Sequence, residues 1–125
     1  MEKSISGYRN LIVWKEAKNL VVLIYRLIED FPKNEEFALK GQMRRAAVSV
    51  ISQIAEGWLR RSIKDKLHYL EIAQGSLLEL ESQAEVAKEL GFLKLKNYQL
   101  FDNQRARVSY LLFKYTSKIE ESQSS

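Results

Sequence analysis

Hydrophobic side chains recur every three or four residues along most of the chain, which is the spacing of α-helices. Four such stretches follow one another, over about residues 11–31, 34–59, 62–90 and 95–120. The first forms an a/d seam, made of Trp14, Ala17, Val21, Ile24, Ile28 and Phe31. Four helices of this length with short connections predict an all-α fold, an antiparallel up-down-up-down four-helix bundle.

Residues with special backbone preferences mark the predicted helix ends. Asn10 is a candidate N-cap of the first helix, and Pro32 is expected to end that helix because the residue before a proline avoids the α region. Ser62 is the candidate N-cap of the third helix, and Gly91 suits the left-handed residue that follows its last turn. Gly75, in the middle of that helix, is predicted to allow close packing of a neighbouring helix.

A length of 125 residues fits one domain, because two separate cores would each be too small to offset chain entropy easily. We expect a single domain over residues 1–125, with its core over about 8–119 and with loosely held termini, residues 1–9 among them. The longest apolar run, residues 20–25, is far too short to span a bilayer, and the N-terminus lacks a signal-peptide segment. The sequence therefore predicts a cytoplasmic protein with no membrane partner.

Composition argues against most enzyme chemistry. The chain has no cysteine and one histidine, His68. Metal centres in helical bundles use two His–Glu pairs with further carboxylates, so the single pair of His68 and Glu71 cannot supply one. No glycine-rich phosphate loop or activated nucleophile is found. We therefore expect no enzymatic activity, no metal, no cofactor and no small-molecule substrate.

Two of the predicted helices are apolar on more sides than a small bundle can bury. Residues 20–25 and 110–113 are continuous hydrophobic runs. A helix that is hydrophobic on most sides is buried on most sides. We therefore expect a homo-oligomer, although single exposed apolar residues are also common. The predicted interface residues are Leu20, Val22, Leu23, Tyr110 and Phe113.

The net charge of +4 conceals an uneven distribution. Residues 40–66 contain seven basic and two acidic side chains, residues 67–93 one basic and five acidic, and residues 94–118 six basic and one acidic. Basic zones of this kind attract polyanions, with or without base-specific contacts. The candidate nucleic-acid-binding residues are Arg60, Arg61, Lys64, Lys66, Arg44, Arg45, Arg105, Arg107, Lys114 and Lys118.

Four of these cations surround the turn between the second and third helices, where helical N–H groups are suited to bind phosphate. Trp58 beside them is a candidate for base stacking. The alternative is a solvated turn with Trp58 in the core. Arg45 is predicted either to contact nucleic acid or to pair with a carboxylate such as Glu56 or Glu81, within the bundle or across an interface. The cations of the fourth helix either line a second basic surface or keep the protein soluble.

Five motifs are more specific than the helical pattern: QMRRAAVSV at 42–50, IAEG at 54–57, LEIAQGSL at 70–77, ELESQ at 79–83 and LGFL at 90–93. Together they resemble one bacterial family, the four-helix-bundle proteins first noticed in intervening sequences of 23S ribosomal RNA genes. The resemblance covers about Tyr8 to Tyr115. It departs at Ile51, where the family usually has proline, and at Gln53, where asparagine is usual, so the second helix is expected to lack the family's kink.

The resemblance implies a ring-like homopentamer of four-helix bundles with no established enzymatic activity. Structural relatives include the accessory proteins of diversity-generating retroelements, which bind a reverse transcriptase and nucleic acid. The leading hypothesis is therefore a non-catalytic oligomeric scaffold that binds structured RNA or RNA/DNA, with a reverse transcriptase as a further partner. The alternative is a protein-interaction module without a nucleic-acid role, which uses the acidic third helix or the face of the ring.

Overall fold

The computed structural model describes residues 7–123, and four α-helices dominate it. They are α1 (Ile12–Leu27), α2 (Leu39–Leu59), α3 (Ile63–Glu89) and α4 (Leu95–Gln123). Short 3-10 helices lie at Gly7–Asn10 and Lys33–Glu35. The described residues contain no strand, so the prediction of an all-α bundle is confirmed.

Each α-helix packs against two others, in the cyclic order α1, α2, α3, α4. The contact between α2 and α3 is the most extensive because small side chains face each other there. Ala46 and Ala47 of α2 and Ala73 of α3 are buried, and the hydroxyls of Ser49 and Ser76 hydrogen-bond between the two helices at 2.7 Å. The small residues of α2 therefore let α3 approach closely.

The hydrophobic residues that recur at helical spacing on α2 are buried along its whole length: Met43, Ala47, Val50, Ile54 and Trp58. In α1, two of the predicted seam positions are occupied in the core by the preceding residue instead. Val13 and Leu20 are buried, whereas Trp14 and Val21 are only partly buried against the core. Because α1 contacts both α2 and α4, its buried stripe is wider than a two-position seam and its centre is shifted.

The segment between α1 and α2 also differs from the prediction. Asn10 is no N-cap, since it belongs to a 3-10 helix, and the capping position is Leu11 without a side-chain hydrogen bond. The first helix ends at Leu27, well before Pro32, and the second begins at Leu39 rather than near 34. Tertiary packing is the reason, because the turn that leaves α1 still buries Phe31 in the core.

The ends of α3 confirm the sequence signals. Ser62 accepts a hydrogen bond from the backbone N–H of Asp65 at 3.0 Å. Gly91 has a φ of 79° and follows a Schellman ending, in which the N–H of Phe92 donates to the carbonyl of Ala87 at 2.9 Å. In contrast, the close-packing role predicted for Gly75 is wrong, because no neighbouring atom lies within 4 Å of where its Cβ would be.

The termini of the chain were expected to be loosely held. Residues 1–6 and 124–125 lie outside the described part of the structure. The 3-10 helix Gly7–Asn10 contacts α1 and α2, and the ring of Tyr8 lies 5.2 Å from that of Trp14. Helix α4 continues past the predicted end at Glu120. Among the described helices, none is both long enough and apolar enough to cross a membrane.

Helix α2 is an uninterrupted α-helix through Ile51 and Gln53, the two positions at which the sequence departs from the family pattern. Both side chains are partly buried, and Ile51 packs against the core. A residue other than proline at position 51 keeps its backbone N–H for the helical ladder. The second helix is therefore continuous at these positions, as the sequence predicts.

Substitution by alanine should change the free energy of unfolding in opposite directions at Gly75, in the middle of α3, and at Gly91, just after its end. Gly75→Ala should stabilise the protein by up to about 1 kcal/mol, because the site is an open helical position. Gly91→Ala should destabilise it by about 1–2 kcal/mol, because a Cβ disfavours the left-handed conformation. Urea unfolding of both variants measures the difference, and equal effects would contradict this account of the two glycines.

Candidate nucleic-acid interface

The turn between α2 and α3 uses two of its four cations inside the bundle. Arg60 forms an ion pair with Glu56, and its guanidinium lies 4.9 Å from the centre of the Tyr69 ring. Lys66 Nζ donates to the backbone carbonyl of Trp58 at 2.8 Å and lies 3.4 Å from that of Gly57. The lysine therefore satisfies carbonyls at the C-terminal end of α2, where positive charge is favourable.

The other two cations of the turn point outward. Arg61 and Lys64 are exposed, and neither has an ion pair with any residue that the structure describes. They flank Ser62, the N-cap of α3, so they lie beside the positive end of a 27-residue helix. The predicted patch of four equivalent cations is therefore reduced to these two, because Arg60 and Lys66 stabilise the turn itself.

The carboxylate of Glu56 determines the electrostatics of Arg60. Its hydrogen bond raises the pKa of the guanidinium above the ordinary value, and the nearby Tyr69 acts in the same direction. Hence Arg60 keeps its charge, but that charge is largely compensated within the turn. A guanidinium already bound to a carboxylate has fewer donors left for a phosphate.

Trp58 is not available to stack on a base. It is 9% exposed and forms part of the core. The N-terminal segment covers it so closely that a Cβ at Gly7 would lie 2.7 Å from its ring, and Tyr8 contacts it edge-on at 6.4 Å. The structure therefore favours the core role for Trp58.

Arg44 and Arg45 differ although they are neighbours. Arg44 pairs with Glu36 at 2.5 Å and donates to the backbone carbonyl of the same residue at 3.2 Å, so it ties α2 to the preceding turn. This pairing lowers the pKa of Glu36 below its usual range. Arg45 is exposed, and the predicted partners within the bundle are taken by others. Glu56 binds Arg60, and Glu81 lies 3.7 Å from Arg105.

Two of the four candidate cations on α4 are held by carboxylates. Arg105 Nε lies 2.9 Å from Asp102, and Arg107 Nε lies 3.3 Å from Glu16 on α1. Glu16 also accepts a hydrogen bond from Gln104 at 2.9 Å, which is the main reason its pKa is lowered. Lys114 and Lys118 are exposed, and Lys114 lies 5.8 Å from the ring centre of Tyr110.

The ten candidate cations thus fall into two groups. Arg44, Arg60, Lys66, Arg105 and Arg107 are bound within the bundle. The exposed candidates without an ion pair among the described residues are Arg45, Arg61, Lys64, Lys114 and Lys118. Arg107 is exposed as well, although it pairs with Glu16. The local pairs at helical spacing, Glu56–Arg60 and Asp102–Arg105, were visible in the sequence as i,i+4 and i,i+3 signals. The pair between α1 and α4 was not, because its members lie far apart along the chain.

The predicted oligomer interface is only partly at the surface. Leu20 is 0% exposed, so its prediction as an interface residue is wrong: the bundle core already surrounds it. Val22 and Leu23 line a shallow groove with Gln104. Tyr110 and Phe113 are exposed. Sequence reasoning missed Phe37, which is 94% exposed and is the one aromatic residue in a stretch of Lys, Asn, Glu and Ala.

The described part of the chain offers no metal site, since nowhere do three His, Asp or Glu side chains lie close enough to hold an ion. Three carboxylates of α3, those of Glu79, Glu81 and Glu85, instead contact nearby polar or basic groups. Glu85, for example, accepts a hydrogen bond from Tyr98 and pairs with Lys88 at 3.4 Å. The hydrogen bond to Glu85 raises the pKa of Tyr98 to about 12.

The architecture defines the chain as a four-helix bundle, and its sequence identifies the family. Residues 9–114 match the family of 23S rRNA-intervening sequence proteins, to which the chain belongs. A comparison with curated proteins found no match. Among solved structures, the fold is similar to that of a protein of unknown function from the S23 ribosomal protein family of Bacteroides thetaiotaomicron. The two chains are 20% identical with a TM-score of 0.78, over 85% of this chain and 96% of the other.

Lys66 and Lys64 provide a matched test of the two roles assigned to the turn. Lys66→Gln should lower the free energy of unfolding by about 1 kcal/mol, because carbonyls at the end of α2 lose a charged donor. Lys64→Gln should change it by less than about 0.5 kcal/mol, since the side chain is exposed. Urea unfolding measures both, and equal losses would contradict the structural role of Lys66.

Proposed function

We propose that the protein is a non-catalytic, oligomeric scaffold that binds structured RNA or an RNA/DNA hybrid through its phosphates. One observation carries the proposal: Arg61 and Lys64 are exposed and lack carboxylate partners among the described residues, on either side of the N-cap of α3. Membership of the 23S rRNA-intervening sequence protein family is consistent with a nucleic-acid-associated role. A reverse transcriptase is a further partner that we propose on resemblance alone.

The site suits a phosphate for two additive reasons. The first N–H groups of α3 lack helical acceptors and carry partial positive charge. Arg61 and Lys64 add two full charges beside them, on hydrated side chains that lose little when they exchange water for phosphate oxygens. Contacts of this kind carry no base information, so binding should tolerate many sequences.

We also propose that the four helices alternate in direction and that five copies assemble into a ring. As the residue number in α2 rises from Ser49 to Gly57, the contacting residue in α3 falls from Ser76 to Lys66, which supports the alternation. Exposed hydrophobic side chains on every helix support assembly. Five copies with a charge of +4 each would carry +20 and repeat the turn around the ring.

A protein-interaction module without a nucleic-acid role is the second candidate. Its support is that half of the candidate cations are bound to groups of the bundle itself, while α3 exposes several carboxylates. Salt distinguishes the two functions. Phosphate binding weakens by orders of magnitude between low and moderate salt, whereas apolar docking of a protein changes little.

The double variant Arg61→Gln/Lys64→Gln should bind a structured RNA about tenfold or more weakly, because two phosphate contacts are lost in each copy. The slope of log affinity against log salt should flatten as well. Filter binding across a salt series measures both quantities. The stability of the variant should be unchanged, since neither side chain contributes to the fold.

The variant Lys94→Gln/Lys96→Gln is the matched control. It also removes two positive charges, here from exposed lysines beyond the other end of α3. That end lies about 40 Å away along the 27-residue helix. This control should bind RNA nearly as the parent does. If both double variants lose affinity equally, only the total charge matters and the turn is not the site.

Light scattering at micromolar concentration tests the assembly. A ring of five chains of 14.6 kDa should have a mass of about 73 kDa. The expectation follows from the apolar surface, which costs free energy while it remains in water. A mass near that of one chain would contradict the proposed oligomer.

A further inference from the structure

Two hydrophobic surfaces lie on different sides of the bundle. The first, here called the α2 face, combines the exposed side chains of Tyr25, Phe37, Val48 and Leu59 with small residues between them, Gly41, Ser52 and Ala55. The second, the α3–α4 groove, has a volume of about 230 Å³ and lies between Leu78 and Phe113, which are 64% and 63% exposed. Each surface groups exposed hydrophobic side chains that are neighbours, which is more typical of an interaction surface than single exposed residues are.

The α2 face is positively charged around Phe37. The three cations Lys40, Arg44 and Arg45 lie there, and the carboxylate of Glu36 pairs with the first two. Glu36 is bound by Lys40 and Arg44, so Arg45 is left with no carboxylate among the described residues. The small residues at positions 41, 52 and 55 recur at helical spacing with Val48, which lets a second helix approach the backbone closely.

The α3–α4 groove is negatively charged. Glu81 lines it, and Glu71 and Glu85 lie seven residues before and after Leu78, on the same side of α3. Across the groove, Asp102 lies eleven residues before Phe113 on the same side of α4. Two cations pair with three of these four carboxylates: Arg105 with Glu81 and Asp102, and Lys88 with Glu85. Glu71 has no ion pair within the described residues.

We propose that the α2 face of one copy packs into the α3–α4 groove of a second copy, with Phe37 as the apolar anchor and Arg45 paired with Glu71. This inference rests on the proposed assembly and names its contact. A surface with excess positive charge repels its own copy and attracts a negative one. A ring with an odd number of subunits also requires two different faces on each copy, because a self-complementary contact would stop at pairs.

Two single variants separate the faces. Phe37→Glu destroys the α2 face and keeps the groove, whereas Leu78→Glu destroys the groove and keeps the α2 face. Both side chains are exposed, so each variant should fold with parental helicity by circular dichroism. Each alone should have the mass of one chain in light scattering, because every copy lacks the same half of the contact.

Mixing the two variants should restore one contact and no more. The intact groove of the first binds the intact α2 face of the second, which gives a one-to-one complex of about 29 kDa from two chains of 14.6 kDa. Val86→Glu, which also places a charge on an exposed hydrophobic position of α3 but outside the groove, should keep the parental mass.

Several outcomes would overturn the inference. Either variant alone keeping the parental mass would show that its face is not in the contact. Two dissociated variants that do not combine would exclude pairing of unlike faces. A parent that is itself a single chain would remove both the proposed oligomer and this contact. An oligomeric parent whose mass survives both substitutions would refute the contact alone. The RNA measurement on the α2–α3 turn bears only on the proposed function.

Discussion

The close packing of α2 against α3 is the constraint from which the rest of the molecule follows. Alanines and the hydrogen-bonded pair of Ser49 and Ser76 keep the two helix axes near each other. At the end of the contact, a Cβ on Gly57 would lie only 3.2 Å from the backbone carbonyl of Lys66. Even alanine there would require the backbone of α3 to move by a few tenths of an ångström, so the two helices are already closely packed where the turn joins them.

That tight turn decides which cations reach the solvent. Because the chain reverses within a few residues, Lys66 returns to the carbonyls at the end of α2, and Arg60 lies over the ring of Tyr69. The intervening Arg61 and Lys64 are left on the outside. The close packing of α2 against α3 therefore determines the role of each cation in the turn: Arg60 and Lys66 stabilise the fold. The other two cations remain accessible to a ligand.

Much of this architecture could be predicted from the sequence, but the arrangement of charges could not. The third helix was predictable to within a residue, because Ser62 and Gly91 act through local backbone chemistry. The end of α1 was not, because burial of Phe31 outweighs the local preference for a longer helix. Leu20 was misplaced for the same reason: the run of apolar residues does not tell which of them the neighbouring helices cover.

Long-range pairs form the part that no local pattern contains. Arg107 belongs to a run of basic residues in the sequence, yet its guanidinium lies beside Glu16, ninety-one positions earlier. Counting charges along the chain consequently overestimates the unpaired basic surface, because it cannot subtract cations that pair with carboxylates of other helices. Among the ten candidate cations, five exposed ones without an ion pair in the described residues remain, and they are spread over different helices and the α2–α3 turn. A polyanion gains little from so few contacts on one chain, and it gains much more when a ring repeats them. Assembly and phosphate binding are for this reason linked in the proposed function: the apolar faces that join the copies would also supply the valency that two exposed cations lack.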